Sequence, residues 1–309
     1  MTQPTEETFH YSEAWLKDIF CQDGQFRIDS FLIAGVLGAG WLSPWDIWNS
    51  IQTALPSQLL RKAWGKRLEW TPFLRKLYEE RTQRNVNLAW RRIHHKEYKW
   101  CTASILGLTE DPLNHEEGGL LFTVSTQPEA WTADGTTIQN WTRVLPPDIA
   151  MEAYWMMFCS ELPWVDIVVG LPSPTSILEM RIIRILKDEK LQRNLFRATQ
   201  AWREHHLVHK QIPDIDGSKA CASFLLDRFA YGTTELRTAT PEEENVLEQY
   251  SDTMFQMREL EARQQLLRNE LIRQIGHFGG LERSDGGVAI VARNPNGLQL
   301  QLKKASKAS

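Results

Sequence analysis

Three segments in the middle of the chain decide the fold class: Leu120–Val124 (LLFTV), Met151–Ser160 (MEAYWMMFCS) and Asp166–Leu171 (DIVVGL). The first and the third are short apolar runs, which are typical of buried strands. The segment between them is longer and strongly apolar, which is typical of a buried helix. A strand, a helix and a second strand in succession predict an α/β fold.

The chain on either side of these segments adds further elements. Strands are also predicted around Ile93, at Trp100–Ile105 and at Ile177–Ile185. Helices are also predicted at Leu59–Arg84, Asp188–Lys210 and Asp216–Leu226. We therefore expect a central mixed β-sheet flanked by helices.

The longest helix is predicted near the end of the chain, where Thr240 caps it and Pro241 takes its first position. Its apolar residues recur mostly every three or four positions down to Gly276 and form one stripe. The members of this stripe are Leu247, Tyr250, Met254, Met257, Leu260, Leu267 and Leu271. Farther along, Val288–Ala292 and Leu298–Leu302 flank an Asn-Pro-Asn-Gly turn and predict a β-hairpin.

The composition is that of a globular protein with three parts. Apolar residues make up 42% and charged residues 24% of the 309 positions, which argues against disorder. Residues 1–25 form an acidic lead-in with a short predicted helix at Tyr11–Phe20. Residues 26–235 form the core domain, and residues 240–309 hold the long helix, the hairpin and a basic tail.

Several features favour a cytoplasmic location. No apolar run approaches the roughly 20 residues that span a bilayer, so no membrane association is expected. The first residues lack the basic and apolar regions of a secretion signal. The four cysteines lie far apart without the spacing of zinc ligands, and we expect them to be reduced, buried thiols.

A basic segment occurs in a chain whose formal net charge is −4. Residues 61–99 contain twelve Lys or Arg and four acidic residues, a local charge of +8. Such a segment is typical either of a surface that faces a polyanion or of a solvated helix face. If the segment faces DNA, the residues expected to contact phosphates are Arg61, Lys62, Lys66, Arg67, Arg75, Arg91, Arg92 and Lys96.

Tryptophans are interleaved with this basic segment. The first third of the chain holds Trp41, Trp45, Trp48, Trp64, Trp70, Trp90 and Trp100. They suit either stacking on single-stranded bases or packing in the core. His205 and His209 lie one helical turn apart, which suits a transition metal, but no third ligand follows and a polar helix face is the simpler interpretation.

Several short motifs occur in a defined order along the chain. They are Ile33–Gly38 followed by Leu42–Pro44, Gly65–Glu69, Ala103–Gly107, Leu121–Gln127, and Pro147–Met157 followed by Trp164–Asp166. This order resembles the YqaJ-like viral recombinase family, which includes phage lambda-type exonuclease among the PD-(D/E)XK nucleases. The resemblance covers about residues 26–302. It implies a restriction-endonuclease-like core, DNA recombination as the setting and a toroidal homo-oligomer.

The resemblance also implies a metal-dependent DNA-cutting site, and most of that site is missing. Such a site holds Mg²⁺ between several carboxylates. Carried over one position at a time, Glu69 matches the first carboxylate. Leu106 and Thr123 stand in the places of the other two, Ser125 in that of a lysine, and Glu152 in that of a glutamine. We therefore predict an inactive site without metal or cofactor, with Mg²⁺ only if the site has been rebuilt.

Three functions remain open. The leading hypothesis is a catalytically inactive, exonuclease-like phage or prophage protein that binds a DNA duplex end or single strand in recombination or DNA-end processing. One alternative is an interaction module that docks a recombinase, a single-strand annealing protein or a host defence nuclease, because apolar Phe31–Leu32 and Leu106 replace polar residues. The other is an active Mg²⁺-dependent exonuclease whose ligands have migrated to Asp111, Glu116 and Glu117.

Overall fold

The computed structural model describes residues 21–22, 25–53, 57–87, 91–138, 144–171, 178–229, 232, 236–282, 284, 288–294 and 297–303. The chain forms two compact units, residues 1–231 and residues 232–309. The sequence predicted the boundary between the core domain and the C-terminal segment at residues 235–240. The helix expected at Tyr11–Phe20 lies outside the described residues.

The first unit contains strands and helices in alternation. Its strands are β1 (Cys21–Gln22), β2 (Gln25–Phe26), β3 (Ile28–Asp29), β4 (Arg91–His94), β5 (Cys101–Ile105), β6 (Gly107–Glu110), β7 (Glu117–Val124), β8 (Thr136–Ile138), β9 (Trp164–Leu171) and β10 (Glu179–Leu186). Its helices are α1 (Ile33–Val36), α2 (Pro44–Thr53), α3 (Gln58–Thr82), α4 (Pro147–Ser160), α5 (Glu189–Arg203) and α6 (Lys219–Phe229). A π-helical turn at Glu204–Val208 follows α5 directly.

Two mixed sheets organise this unit. The larger has five strands in the order β6-β7-β9-β10-β8, and the smaller has the order β3-β5-β4. β7 runs parallel to β9, whereas β9 and β10 are antiparallel. In the smaller sheet β3 is parallel and β4 antiparallel to β5. The predicted α/β class, with mixed sheets flanked by helices, is confirmed.

α4 packs against both sheets because most of its surface is apolar. It contacts β4 and β5 of the smaller sheet and β7 and β9 of the larger one. Tyr154, Trp155 and Met156 are consecutive and all buried. The indole Nε1 of Trp155 donates to the backbone oxygen of Thr102 at 3.1 Å. The buried helix predicted at Met151–Ser160 is thus confirmed, and it begins at Pro147.

α3 packs against the larger sheet, where it contacts β7, β9 and β10. The hydroxyl of Ser57 caps it and accepts from the backbone nitrogen of Leu60 at 3.2 Å. Leu74 and Tyr78 are buried beyond Pro72, which lies inside the helix. From the sequence, Pro72 could either kink this helix or begin a second one. In the structure α3 continues through it.

Three of the cysteines are described in full. Cys101, Cys159 and Cys221 are free and buried, as expected for reduced thiols. Burial raises the pKa of the Cys101 and Cys159 thiols, so both stay protonated at neutral pH.

The second unit consists of α7 (Pro241–Ile275), β11 (Gly280–Glu282), β12 (Val288–Asn294) and β13 (Gly297–Lys303). A capping box starts α7: the Thr240 hydroxyl accepts from the Glu243 backbone nitrogen, and the Glu243 carboxylate accepts from the Thr240 nitrogen at 2.9 Å. Gly276, with φ at +56°, follows the last turn. β12 pairs antiparallel with β11 and β13. The predicted long helix and hairpin are confirmed.

No helix in the described ranges is both long enough and apolar enough to span a membrane.

Candidate functional site

An open pocket of ≈ 340 Å³ lies between α3, α4, the end of β7 and the loop before α2. We call it the α3 pocket. Trp41, Lys66 and Gln127 line it with exposed side chains, and Thr123 and Ser125 line it with half-buried ones. It therefore combines an indole, an ammonium, an amide and two hydroxyls, which are groups that contact bases and phosphates in nucleic-acid sites.

Local structure explains why these side chains converge. Thr123 and Ser125 are two residues apart at the end of β7, so both side chains face the same side of the sheet. Lys66 and Arg67 are neighbours on α3 but differ in burial: Lys66 is exposed, whereas Arg67 is buried. The pocket thus has one solvent-exposed positive charge, on Lys66, and a second, buried one, on Arg67.

The buried charge is neutralised by a carboxylate. Arg67 donates to both oxygens of Glu152, with Nη2 2.9 Å from Oε2, and the side chains are only 9% and 7% exposed. The guanidinium also lies over the Phe31 ring, 4.6 Å from its centroid. Such a bidentate pair is held in one geometry, and it leaves the Glu152 carboxylate committed to arginine.

Asp148 and Trp41 complete the pocket. Burial raises the pKa of Asp148, and the nearby Arg67 opposes that rise. Trp41 is 48% exposed, and its ring meets Phe31 edge-to-face at 6.1 Å. The indole is therefore supported from one side and open on the other.

The structure brings some of the predicted site positions together and separates others. Thr123 and Ser125 line the α3 pocket, and Glu152 lies next to it through Arg67. Glu69 is exposed on α3 and is not among the residues that line this pocket, while Leu106 is buried in the core. These positions do not form a set of converging carboxylates.

Metal-binding chemistry finds no support in the part of the chain that the structure describes. That part contains no group of three or more His, Cys, Asp or Glu placed to hold a metal ion. His205 packs edge-to-face on His206 at 4.7 Å, and the Nδ1 of His206 lies 2.9 Å from the backbone oxygen of Gln211. Within the described ranges, no set of residues therefore fits a bound Mg²⁺ or zinc ion.

The basic residues predicted to contact DNA have three different environments. Lys62 and Lys66 are exposed, and within the described residues neither forms an ion pair. Arg75 pairs with Glu79 on the same helix at 3.1 Å, and Arg61 is half-buried. Lys62 and Lys66 are one helical turn apart, so they lie on one face of α3 beside the pocket.

The remaining members of that set are less available. Arg67 is buried against Glu152, and the Arg92 side chain is 7% exposed with its Nε 3.8 Å from buried Asp29. Lys96 is exposed but pairs with Glu161 at 2.6 Å. The Arg91 side chain lies outside the described part. Because Arg67 and Arg92 are enclosed, they do not form part of the exposed basic surface.

A second charged cluster, which the sequence analysis missed, consists of Tyr78, Arg84, Asp111, Asp166 and Arg184; we call it the Asp166 cluster. Arg184 donates to Asp166 from Nε at 2.7 Å and from Nη2 at 3.0 Å, and the Tyr78 hydroxyl donates at 2.7 Å. Burial, then the Asp166 charge, raises the pKa of Tyr78, which keeps the phenol protonated as a donor.

Asp111 belongs to this cluster rather than to a metal site. Its carboxylate accepts from Arg184 and lies 3.6 Å from Arg84. The hydrogen bond from Arg184 lowers the pKa of Asp111. Glu116 and Glu117, the other two residues proposed as migrated ligands, are exposed. The set Asp111, Glu116 and Glu117 therefore offers no free converging carboxylates.

The indole of Trp164 packs against the Asp166 cluster. The Arg184 guanidinium lies 3.7 Å from the Trp164 ring centroid. A Cβ at Gly118 would lie 2.3 Å from the same ring. The indole thus contacts a cation and also a backbone position that has no room for a side chain.

Comparisons with known proteins give structural likeness only. No protein-family profile and no curated protein matches the chain. Among solved structures, it is similar to LHK-Exo in complex with dAMP, at 15% identity over 71% of this chain and 98% of that chain, with a TM-score of 0.48. It is also similar to LHK-Exo, an alkaline exonuclease from Laribacter hongkongensis, at 15% identity over 66% and 93% (TM-score 0.44). A phage-related exonuclease from Haemophilus somnus is similar at 8% sequence identity, over 63% of this chain and 100% of that chain, with a TM-score of 0.41.

Proposed function

We propose that this chain binds DNA, as a single strand or a duplex end, in the α3 pocket and does not cut it. One observation carries the proposal. The pocket presents an exposed indole, Trp41, and an exposed ammonium, Lys66, which forms no ion pair within the described residues. It lies beside a carboxylate that Arg67 already neutralises. A polyanion meets positive charge there without meeting a free carboxylate of Glu152.

The phosphate contacts are assigned to Lys62 and Lys66. Both are exposed, lie on one face of α3 and lack an ion pair within the described residues. The hydroxyls of Thr123 and Ser125 supply neutral donors at the pocket wall.

The base contact is assigned to Trp41. A supported, half-exposed indole is a stacking platform that accepts any base, which suits binding without sequence preference. Such a contact is available to an unpaired base of a single strand or of a frayed duplex end.

The absence of cleavage follows from the same residues. Mg²⁺ needs several oxygen ligands in near-octahedral geometry. Glu152 is held by Arg67, Glu69 does not line the pocket, and Leu106 has no ligand atom. The setting we propose is recombination or DNA-end processing of a phage or prophage, with an annealing protein or host nuclease as a further partner.

The interaction-module alternative has less support. It rested on apolar residues replacing polar ones, and Phe31, Leu32 and Leu106 are all buried within the core. They do not provide an exposed apolar surface for a partner.

The test uses 5′-labelled linear duplex and single-stranded DNA, with Mg²⁺, Mn²⁺ or EDTA, on native and denaturing gels. We expect a mobility shift under all three conditions and no shortening. Metal-dependent shortening would show that cleavage survives, and no shift under any condition would refute DNA binding.

A charge variant locates the binding surface. We expect Lys62→Glu with Lys66→Glu to weaken single-strand binding and to lower the slope of log affinity against log salt by about 0.7 for each lost phosphate contact. Lys76→Glu is the matched control, because Lys76 is exposed on the same helix but lies beside Glu80. Equal effects from both variants would contradict the assignment to the α3 pocket.

A further inference from the structure

α7 exposes most of the apolar stripe along its length. Leu247, Tyr250, Met254, Met257, Leu260 and Leu267 are each between 36% and 66% exposed. They lie on one side of a helix that is about 52 Å long. The stripe runs from Leu247 to Leu271, about 36 Å along the helix, and an apolar face of this length is typical of a helix that another helix covers.

The charges of α7 are divided unevenly between its two halves. Residues 241–257 contain five acidic residues and no basic one, whereas residues 258–275 contain four arginines and three glutamates. Two parallel copies would place the two acidic halves against each other. Two antiparallel copies would place each acidic half against the half that carries the arginines, which is the favourable arrangement.

The two ends of α7 also complement each other. At its N-terminal end, Leu236, Val246 and Leu247 line an open apolar groove of ≈ 620 Å³. At its C-terminal end, Leu271 continues the stripe and Ile272 is exposed beside it. In an antiparallel pair the C-terminal end of each helix lies at the groove of the other.

We propose that α7 pairs with α7 of a second copy of this chain, in antiparallel orientation, through the stripe. The pairing removes the exposed apolar face from water and sets the acidic half of each helix beside the arginines of its partner. It makes the full chain at least a dimer, independently of whether DNA binds in the α3 pocket.

The first test is the mass of the full chain in solution by analytical ultracentrifugation over a range of concentrations. We expect a dimer or a higher even-numbered assembly, and Met257→Asp with Leu260→Asp should weaken it by at least about 100-fold. The matched control is Phe255→Asp with Leu266→Asp, which places the same charges on the opposite side of α7, where both residues are also exposed. A monomeric wild-type chain, or equal effects of the two variants, would overturn the proposal.

The second test keeps the stripe intact and measures orientation. A spin label at Gln249→Cys lies near the acidic end of α7. Antiparallel helices paired about their middle place two such labels roughly 30 Å apart, whereas parallel helices place them roughly 10 Å apart. The long distance supports the proposal, and the short distance overturns the antiparallel arrangement.

Discussion

The α3 pocket and the Asp166 cluster both contain arginine–carboxylate pairs, and they differ in what lies beside those pairs. In the cluster, Arg84 and Arg184 both face Asp111 and Asp166, and both carboxylates are buried while both arginines are half-buried. In the pocket, Arg67 and Glu152 form one closed pair, while Lys66 next to them stays exposed.

This difference separates a structural role from a binding role. When every charge of a cluster is paired within the cluster, the ion pairs hold together the elements that contain them. Here these elements are the end of α3, the turn after β6, and strands β9 and β10. In the α3 pocket, Arg67 and Glu152 neutralise each other, so the positive charge of Lys66 remains available to a ligand. Substitutions in the two regions test this division.

Removing the central carboxylate of the Asp166 cluster is expected to have the largest effect. Asp166→Ala removes one of the two carboxylates that the half-buried Arg184 and Arg84 share, and we expect the free energy of unfolding to fall by about 3 kcal/mol. Urea unfolding measures it. The control is Glu179→Ala, which breaks an exposed pair with Arg181 and should cost less than about 1 kcal/mol. Similar losses would contradict a structural role for the cluster.

Replacing a glycine by alanine should have opposite effects on stability in the two regions. Gly118→Ala forces a Cβ against the Trp164 ring at 2.3 Å and should destabilise the fold by about 1–3 kcal/mol. Gly65→Ala, on α3 beside Lys66, meets nothing within 4 Å and should stabilise by about 0.5–1 kcal/mol. Thermal unfolding of both variants decides, and a stabilised Gly118→Ala protein would show that Trp164 is not fixed.

The pocket variant should change binding rather than stability. Trp41→Ala removes the stacking platform, so single-strand affinity should fall by about 1–3 kcal/mol in fluorescence anisotropy. Phe73→Ala is the control, since Phe73 is an exposed aromatic on α3 that does not line the pocket. If the two variants bind equally, Trp41 is not a base contact.

The smallest effects are two pH dependences of opposite sign. The pKa of Asp148 is raised by burial, so its ionisation opposes folding above the ordinary value of 3.8, and Asp148→Asn should be more stable than wild type at neutral pH. The pKa of Asp111 is lowered by Arg184, so Asp111→Asn should be less stable there. The Asp148 difference should disappear as the pH falls to 3.8, whereas the Asp111 difference should shrink only as the pH falls below 3.8. Urea midpoints at several pH values check the signs, and equal signs would contradict the assigned environments.

Local patterns were sufficient to predict much of the fold. The cap at Thr240, the stripe and Gly276 give α7 its bounds, because a helix is specified by residues close in sequence. The ion pairs could not be predicted in this way. Arg67 and Glu152 are 85 residues apart, and Arg184 and Asp111 are 73 apart. Sequence reasoning therefore placed Arg67 on a DNA surface, although its burial against α4 is decided by packing between elements.

The exposure of Trp41 has a consequence for spectroscopy. The chain has thirteen tryptophans, and among those whose side chains are described Trp41 alone is exposed. Buried indoles emit at shorter wavelengths and are shielded from iodide, whereas Trp41 is open to collisions with it. Among the described tryptophans, the iodide-quenched part of the emission therefore comes largely from Trp41, at one wall of the α3 pocket. The protein carries its own optical reporter of whatever covers that wall, without any attached dye.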